Sequence, residues 1–337
     1  MALTLDPAAS PERDLAAALA AIAELRPEPA QRAAAALRRA LAWTATTRWA
    51  EVAWCGSELT APGHPVELGF STLDPDVRWT AEPTGPEEPP AGRLAAAHEL
   101  LTELGSPPLE PAPRARLERL QAAGPLRWGA WASGRHTEHG DRFKLYAELP
   151  GPATPPELLG MPAELAAQAR RLRAVPAFAG VEPASGRVEV YYRLPRAEPE
   201  QLALLLGAVG LAARAGELGA VVERVAELPL DLAVRGPYFG FSVTVDAGGR
   251  PLALALGTPA SCLAGADALV RRRLLAVAAE RGWDLDAYAA ASAPIAAAPR
   301  ERQPRHGVLV LVAPVAGPVG VQVGLTPPPA VRSPAPS

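Results

Sequence analysis

Two stretches of the chain carry charge and phenol at matched positions. Arg142-Phe143-Lys144-Leu145-Tyr146-Ala147-Glu148-Leu149-Pro150 holds the only lysine among 337 residues, and Arg187-Val188-Glu189-Val190-Tyr191-Tyr192-Arg193-Leu194-Pro195 echoes it 45 positions later. In both, apolar and polar residues alternate, which is the period of a strand. One face of the first strand offers Arg142, Lys144, Tyr146 and Glu148; the matching face of the second offers Arg187, Glu189, Tyr191 and Arg193. Guanidinium and ammonium groups gathered on one surface suit a polyanion such as diphosphate. Tyrosine rings beside them suit a cation held against their faces. A third candidate is Glu67, eleven positions before Arg78, a carboxylate able to accept a proton or anchor an N–H.

These residues need strands to carry them, and the chain supplies five pairs. Alternation and turn residues predict hairpins from Pro65–Ser71 with Val77–Glu82, Leu126–Ser133 with the Lys144 strand, and Phe178–Glu182 with Arg187–Leu194. Two more follow, Tyr238–Asp246 with Pro251–Gly257 and Gly307–Val312 with Val319–Thr326. Arg48–Cys55 is a further weak strand candidate. Helical patterns precede the hairpins: Asp14–Leu25 and Ala30–Trp43, Gly92–Leu104 and Pro113–Ala123, Pro155–Arg173, Glu198–Ala213 and Gly216–Ala226, then Ala264–Arg281 and Leu285–Ala291. Two helices and a hairpin thus recur five times at roughly 60 residues each, the third unit being shorter with one long helix, an internal repeat that decides the fold class. Strands with one apolar face need cover, and amphipathic helices provide it. The expected architecture is α+β, a ten-stranded antiparallel β-barrel surrounded by helices with a polar lumen; an open sheet with one face in solvent, serving a structural or partner-binding role, is the alternative.

The lumen face then collects Glu67 and Arg78, next Arg127, Trp131, Arg142, Lys144 and Tyr146, next Arg187, Glu189, Tyr191 and Arg193. The last two hairpins contribute Tyr238, Ser242 and Thr244, with small residues at Ala253, Ala255, Gly320 and Gly324 and Gln322 as the main polar group. His136 and His139 fall in a turn at His136–Asp141 and are expected in solvent. Trp79 and Trp131 read as core or wall. Gly248-Gly249 is hairpin chemistry.

Composition narrows the function classes. Nearly half the residues are hydrophobic, at 49%, so a sizeable core can form, and the net charge of −3 argues against a general nucleic-acid surface. Cys55 and Cys262 show no metal-ligand spacing and read as buried thiols in a reducing, cytoplasmic setting, with no metal site. No basic leader precedes an apolar run, and no apolar stretch is long enough to span a membrane. Residues 1–326 are expected to form one barrel and 327–337 a Pro/Ser-rich disordered tail, the protein being a monomer or homodimer.

The succession Gly63-His64-Pro65-Val66-Glu67 with Val77-Arg78-Trp79, then Arg-x-Lys-Leu-Tyr, then Arg-x-Glu-Val-Tyr resembles the aromatic prenyltransferases of the αββα barrel type, on the indole or dimethylallyltryptophan synthase-like branch. The resemblance covers nearly the whole chain through the five-fold repeat. It implies a metal-independent, cofactor-free enzyme of secondary metabolism that moves a dimethylallyl or longer prenyl group from its diphosphate to tryptophan or another aromatic acceptor. It implies a catalytic role for Glu67 at the indole N–H, diphosphate binding by Arg78, Lys144 and Arg187, and cation shielding by Tyr146 and Tyr191. Two departures stand out. Where the family commonly has a second lysine, this chain has Glu189, which is expected to pair with Arg187, Arg142 or Arg193. The small inward faces of the last two hairpins leave room for a larger donor or acceptor, or suit a barrel that has lost transfer and binds an aromatic or anionic ligand.

Overall fold

The computed structural model describes residues 10–155, 158–235, 238–297 and 303–329. Ten strands form one closed antiparallel barrel: β1 (Val66–Ser71), β2 (Val77–Ala81), β3 (Ala130–Thr137), β4 (Gly140–Glu148), β5 (Val175–Glu182), β6 (Arg187–Arg193), β7 (Gly240–Val245), β8 (Pro251–Pro259), β9 (His306–Pro314) and β10 (Gly320–Leu325). Each strand pairs with its sequence neighbours, and β1 closes on β10 through Leu68 opposite Leu325 and Phe70 opposite Val323. Closure removes the open edges that an unclosed sheet would leave.

The helices fall ahead of the hairpins along the chain. α1 (Pro11–Ala23) and α2 (Pro27–Ala40) precede the first, α3 (Arg93–Glu103) and α4 (Pro111–Gln121) the second, and α5 (Ala163–Arg171) the third. The fourth follows α6 (Pro199–Ala208), α7 (Ala215–Ala226) and the short α8 (Leu230–Ala233). The fifth follows α9 (Ala260–Ala264), α10 (Asp267–Arg281), α11 (Asp286–Ala291) and α12 (Ala293–Ala297). α2 illustrates the local logic. Pro27 opens it where no N–H is needed, Arg38 and Arg39 close it against the negative end of its dipole, and Ala30, Ala33, Leu37 and Ala40 make one buried stripe. Alanine on that stripe lets the helix lie close to the barrel. No described helix is long and apolar enough to cross a membrane.

The hydrophobic core therefore lies between barrel and helices, not inside the barrel. Outward residues of the strands, such as Leu68, Trp79, Leu145, Val243, Leu309 and Leu311, are buried under helices. Their alternate neighbours look into the lumen, and β3 shows the division residue by residue. Ala130, Ala132, Gly134 and His136 are buried, while Trp131, Ser133, Arg135 and Thr137 are only half-buried.

The second hairpin is shifted from the expected boundaries. β3 begins four residues later than predicted and continues to Thr137, because its pairing with β4 runs on to Thr137 opposite Gly140. Two expectations change with it. His136 is buried on the outer face, not exposed in a turn. It accepts the Trp79 indole N–H at Nε2 (2.9 Å), and its Nδ1 lies 2.9 Å from Asp141 Oδ1. Burial holds its pKa below the ordinary range, which suits the neutral tautomer this arrangement requires. Trp79 lies flat across Gly134, where a side chain would collide with the indole. Arg127 falls before the strand and pairs with Glu58 in solvent (2.7 Å) instead of facing the lumen.

Other differences are local. Tyr238 precedes β7 and is exposed. Both Cys55 and Cys262 are exposed, not buried. Residues 48–55 form bends and turns rather than a strand. Of the expected tail, residues 330–337 lie outside the described residues, whereas Pro327 and Pro328 are buried.

Candidate active site

Lys144, Tyr146, Glu189 and Tyr191 come together in the lumen. The ammonium of Lys144 reaches across from β4 over Gly180 of β5, where even a methyl group would collide with the lysine side chain. It donates to the carboxylate of Glu189 on β6 and to the Tyr191 hydroxyl (3.2 Å). Ser242 on β7 donates to the other Glu189 oxygen at 2.6 Å. The nitrogen also lies 4.9 Å from the ring centre of Tyr146 and 5.5 Å from that of Tyr191. Burial works against the charge on Lys144, yet Glu189 outweighs it and holds the ammonium's pKa above its usual range. For Glu189 burial again opposes the charge, and Lys144 holds the carboxyl below its usual range. Tyr191 is pushed well up by burial and by the same carboxylate. Both ions stay charged, and each is the other's counter-ion. Glu189 was expected to pair with an arginine; Lys144 takes it because Gly180 leaves a direct path between β4 and β6.

An aromatic wall continues from this cluster toward the end of the barrel away from the hairpin turns. Phe178 stacks on Tyr191 with centroids 4.0 Å apart and meets Tyr146 edge-on at 5.9 Å. Trp131 stacks on Trp128 at 3.6 Å and faces Phe178 at 6.4 Å. Buried carboxylates fix the two indoles. Glu148 accepts the N–H groups of Arg127, Trp128 and Gly129 at 2.9, 2.7 and 2.7 Å, and so holds the segment carrying Trp128. Glu82 accepts the Trp131 indole N–H (3.2 Å) and pairs with Arg93 (2.7 Å).

The remaining cations gather toward the hairpin turns. Arg78, Arg135 and Arg142 stand opposite one another on three adjacent strands. Arg78 pairs with Asp76 (2.6 Å) and Asp74 (3.3 Å), and Arg135 with Asp76 (2.9 Å) and Asp74 (3.4 Å). Burial and the neighbouring Arg135 lower the Arg78 pKa, but an arginine remains cationic at any working pH. Arg142 and Arg187 are exposed and have no ion-pair partner among the described residues.

Glu67 sits apart. It is joined to Lys144 by one line of cross-strand pairs, Glu67–Thr80–Ser133–Lys144, which spans three strand spacings, or roughly 14 Å along the sheet. Its side chain crosses instead toward β10 and β9, over Gly324 and Gly307, and a β-carbon at either glycine would collide with the carboxyl. It has no hydrogen bond or ion pair among the described residues. Burial alone raises its pKa to about 8, so at pH 7 the neutral acid predominates.

Of the residues picked out from sequence, Lys144, Tyr146 and Tyr191 converge directly. Arg78 and Arg187 lie on the same side of the sheet nearer the turns, and Glu67 lies across the lumen. Arg135, Phe178 and Trp128 were missed. The alternation Trp131–Ser133–Arg135 carries the signal for Arg135, once β3 is extended to its true end. Phe178 alternates with Gly180 and Glu182, but a short strand with one ring gave no reason to choose it. Nothing in the sequence marks Trp128, whose place depends on Glu148. A separate apolar groove of about 540 Å³ lies between α1, α2 and Trp54, outside the barrel.

The closed ten-stranded barrel, its cover of helices and its polar lumen define the αββα prenyltransferase fold. Solved structures bear this out over nearly the whole chain. The prenyltransferase PriB without ligand superposes with a TM-score of 0.75 at 19% identity, covering 94% of this chain and 96% of that one. The 6-dimethylallyltryptophan synthase from Micromonospora olivasterospora, in complex with DMASPP and Trp, gives 0.69 at 20% identity, over 94% and 97%. The 5-dimethylallyltryptophan synthase from Streptomyces coelicolor, also with DMASPP and Trp, gives 0.71 at 18% identity, over 98% and 100%. No family model and no curated protein sequence matches the chain.

Proposed function

We propose that this protein is an aromatic prenyltransferase that moves an allylic group from its diphosphate to an aromatic acceptor such as an indole. The observation that carries the reading is the packing of Tyr146 and Tyr191 around one ammonium, with Phe178 against both rings, in the lumen of a closed barrel. The same fold in the Micromonospora and Streptomyces synthases holds DMASPP and Trp, which supports a prenyl diphosphate and an aromatic ring as ligands. In the reaction the allylic C–O bond breaks and its electron pair leaves on the diphosphate. Lys144, with Arg78, Arg142 and Arg187 nearer the turns, stabilises that charge. The allylic cation is held against the aromatic faces, and a ring π pair forms the new C–C bond. The ring carbon then gives its proton to a base, an oxygen of the released diphosphate or the ionised Glu67 carboxylate. Glu67 can take part only when ionised, and an acceptor N–H donated to its oxygen would favour that form. The closed, covered barrel keeps bulk water from quenching the cation.

The test is incubation with dimethylallyl, geranyl and farnesyl diphosphates against tryptophan, simple indoles, tyrosine and phenols. Prenylated product from at least one pair is expected; folded protein that turns over none of them defeats the reading. The Lys144–Glu189 pair favours a second reading, a barrel that binds aromatic or anionic ligands without transferring anything. Calorimetry with a diphosphate against free aromatics separates the two, since the second reading expects binding with no product.

A further inference from the structure

The wall opposite the tyrosines is built differently, and its composition points to the length of the donor chain. Cross-strand pairing carries one row from Phe178 and Tyr191 through Ser242, Ala255 and Val312 to Gly320. The next row toward the far end runs from Arg193 through Gly240, Gly257 and Val310 to Gln322. On β8 and β9 the inward residues are thus Ala253, Ala255, Gly257, Val310 and Val312. Their outward alternates Leu254, Leu309 and Leu311 are fully buried beneath helices. The inward track begins beside the Lys144–Glu189–Ser242 cluster and leads away from the hairpin turns for four residues of strand, about 13 Å.

Little along this track can hydrogen-bond. Ser242 is already bound to Glu189, Thr244 sits toward the turns, and Gln322 is the one neutral polar side chain of the far row, at its β10 end opposite Val310. A polar occupant would leave its own groups unpaired there. A hydrocarbon would not, and the small side chains along the track favour a chain longer than five carbons. The far end is bounded by Glu67 of β1, whose carboxyl has no partner among the described residues and lies over Gly307 of β9 and Gly324 of β10. On the transferase reading it would meet the acceptor, leaving β8 and the part of β9 from Val310 toward the turns for the tail of the donor.

We infer that the trough along Ala253, Ala255, Gly257, Val310 and Val312 binds the chain of a prenyl diphosphate of ten carbons or more. The inference rests on the transferase reading for what the lumen holds, and it adds a substrate class to that reading. Burying each additional methylene is worth roughly fourfold in affinity. Two isoprene units should therefore bind at least tenfold tighter than one, even with partial burial.

The experiment is calorimetric titration of the full chain with dimethylallyl, geranyl and farnesyl thiolodiphosphates, which do not turn over readily, and with inorganic diphosphate as the headgroup alone. Geranyl or farnesyl is expected to bind at least tenfold tighter than dimethylallyl. Ala255→Phe should shrink that ratio to below threefold, and Val310→Thr, which preserves shape and adds a hydroxyl, should lower geranyl affinity several-fold in protein of unchanged fold. Equal or tighter binding of the dimethylallyl compound overturns the inference, as does an unchanged ratio in both variants. Product analysis distinguishes the two layers. A chain-length preference in binding with no prenylated product defeats transfer and leaves the trough standing. Product from dimethylallyl diphosphate alone defeats the trough and leaves transfer standing. Failure of every prenyl compound to bind removes both.

Discussion

The two halves of the barrel wall are built from opposite materials. From β3 to β6 the lumen face carries Trp131, Arg135, Lys144, Tyr146, Phe178, Glu189 and Tyr191, held by ion pairs and ring stacking. From β7 to β10 it carries glycine, alanine, valine and a few neutral polar groups. Both halves obey the same strand alternation and the same outward packing on helices. The barrel is therefore stabilised by its outer face, and the inner face is free to differ from one half to the other. One half can concentrate charge and π surface for chemistry, while the other leaves room.

If the charged half depends on mutual neutralisation, removing one ion should be severe. Lys144→Ala strands Glu189 in the lumen, and an uncompensated buried charge costs about 3–5 kcal/mol. Thermal unfolding should show a large drop in Tm, and Lys144→Ala with Glu189→Ala should recover most of it. A single variant as stable as the parent would mean that the pair does not hold this half together.

One titratable side chain reaches over the quiet half from β1, Glu67 over Gly324 and Gly307. Its folded pKa of about 8 is raised above the unfolded value. The stability it contributes is therefore complete below its unfolded pKa and is lost as pH rises through about 8, by about 1.4 kcal/mol for every tenfold difference in proton affinity between the folded and unfolded chain. The parent should lose Tm between about pH 5 and 8 relative to Glu67→Gln, which lacks the titrating group, and level off above. Parallel Tm profiles would place Glu67 in a wetter setting than its burial implies.

Neutralising the acid in the charged half should help an anion. Glu189→Gln keeps the bond from Ser242 to an amide oxygen and frees Lys144 from its counter-ion. Inorganic diphosphate should then bind about tenfold tighter by calorimetry, equivalent to about 1.4 kcal/mol. Unchanged affinity would locate the anion at Arg78, Arg135 and Arg142 instead. The mildest change concerns ring geometry. Phe178→Leu retains an apolar group but removes the stack on Tyr191, and should lower stability by about 1 kcal/mol, read from denaturant midpoints. A drop of several kcal/mol would make Phe178 part of the core rather than of the lumen wall.

Much of this plan was legible in the residues. Period-two alternation located all ten strands, and the repeat of helices and hairpins implied closure. Lys144, Tyr146 and Tyr191 were chosen correctly as neighbours because residues two apart on a strand share a face, and adjacent repeats bring those faces together. The errors fell where alternation has no power. The strand was expected to end at Ser133 and the turn to span His136–Asp141, but the fate of Gly134, Arg135 and His136 was decided by pairing with β4 and by Trp79 lying over Gly134. Cys55 and Cys262 read as buried from their chemistry alone and proved exposed, since burial belongs to a position and not to a residue type.

What the sequence determined by itself was which face of each strand is polar, because strand geometry is local and sends successive side chains to opposite sides. What only the tertiary structure decided was which polar groups meet. The pairing of Lys144 with Glu189 rather than an arginine depends on the space above Gly180, and the isolation of Glu67 depends on two glycines far along the chain. Charge partners form across strands distant in sequence, so the distances that set their pKa values and their chemistry exist only once the barrel has closed.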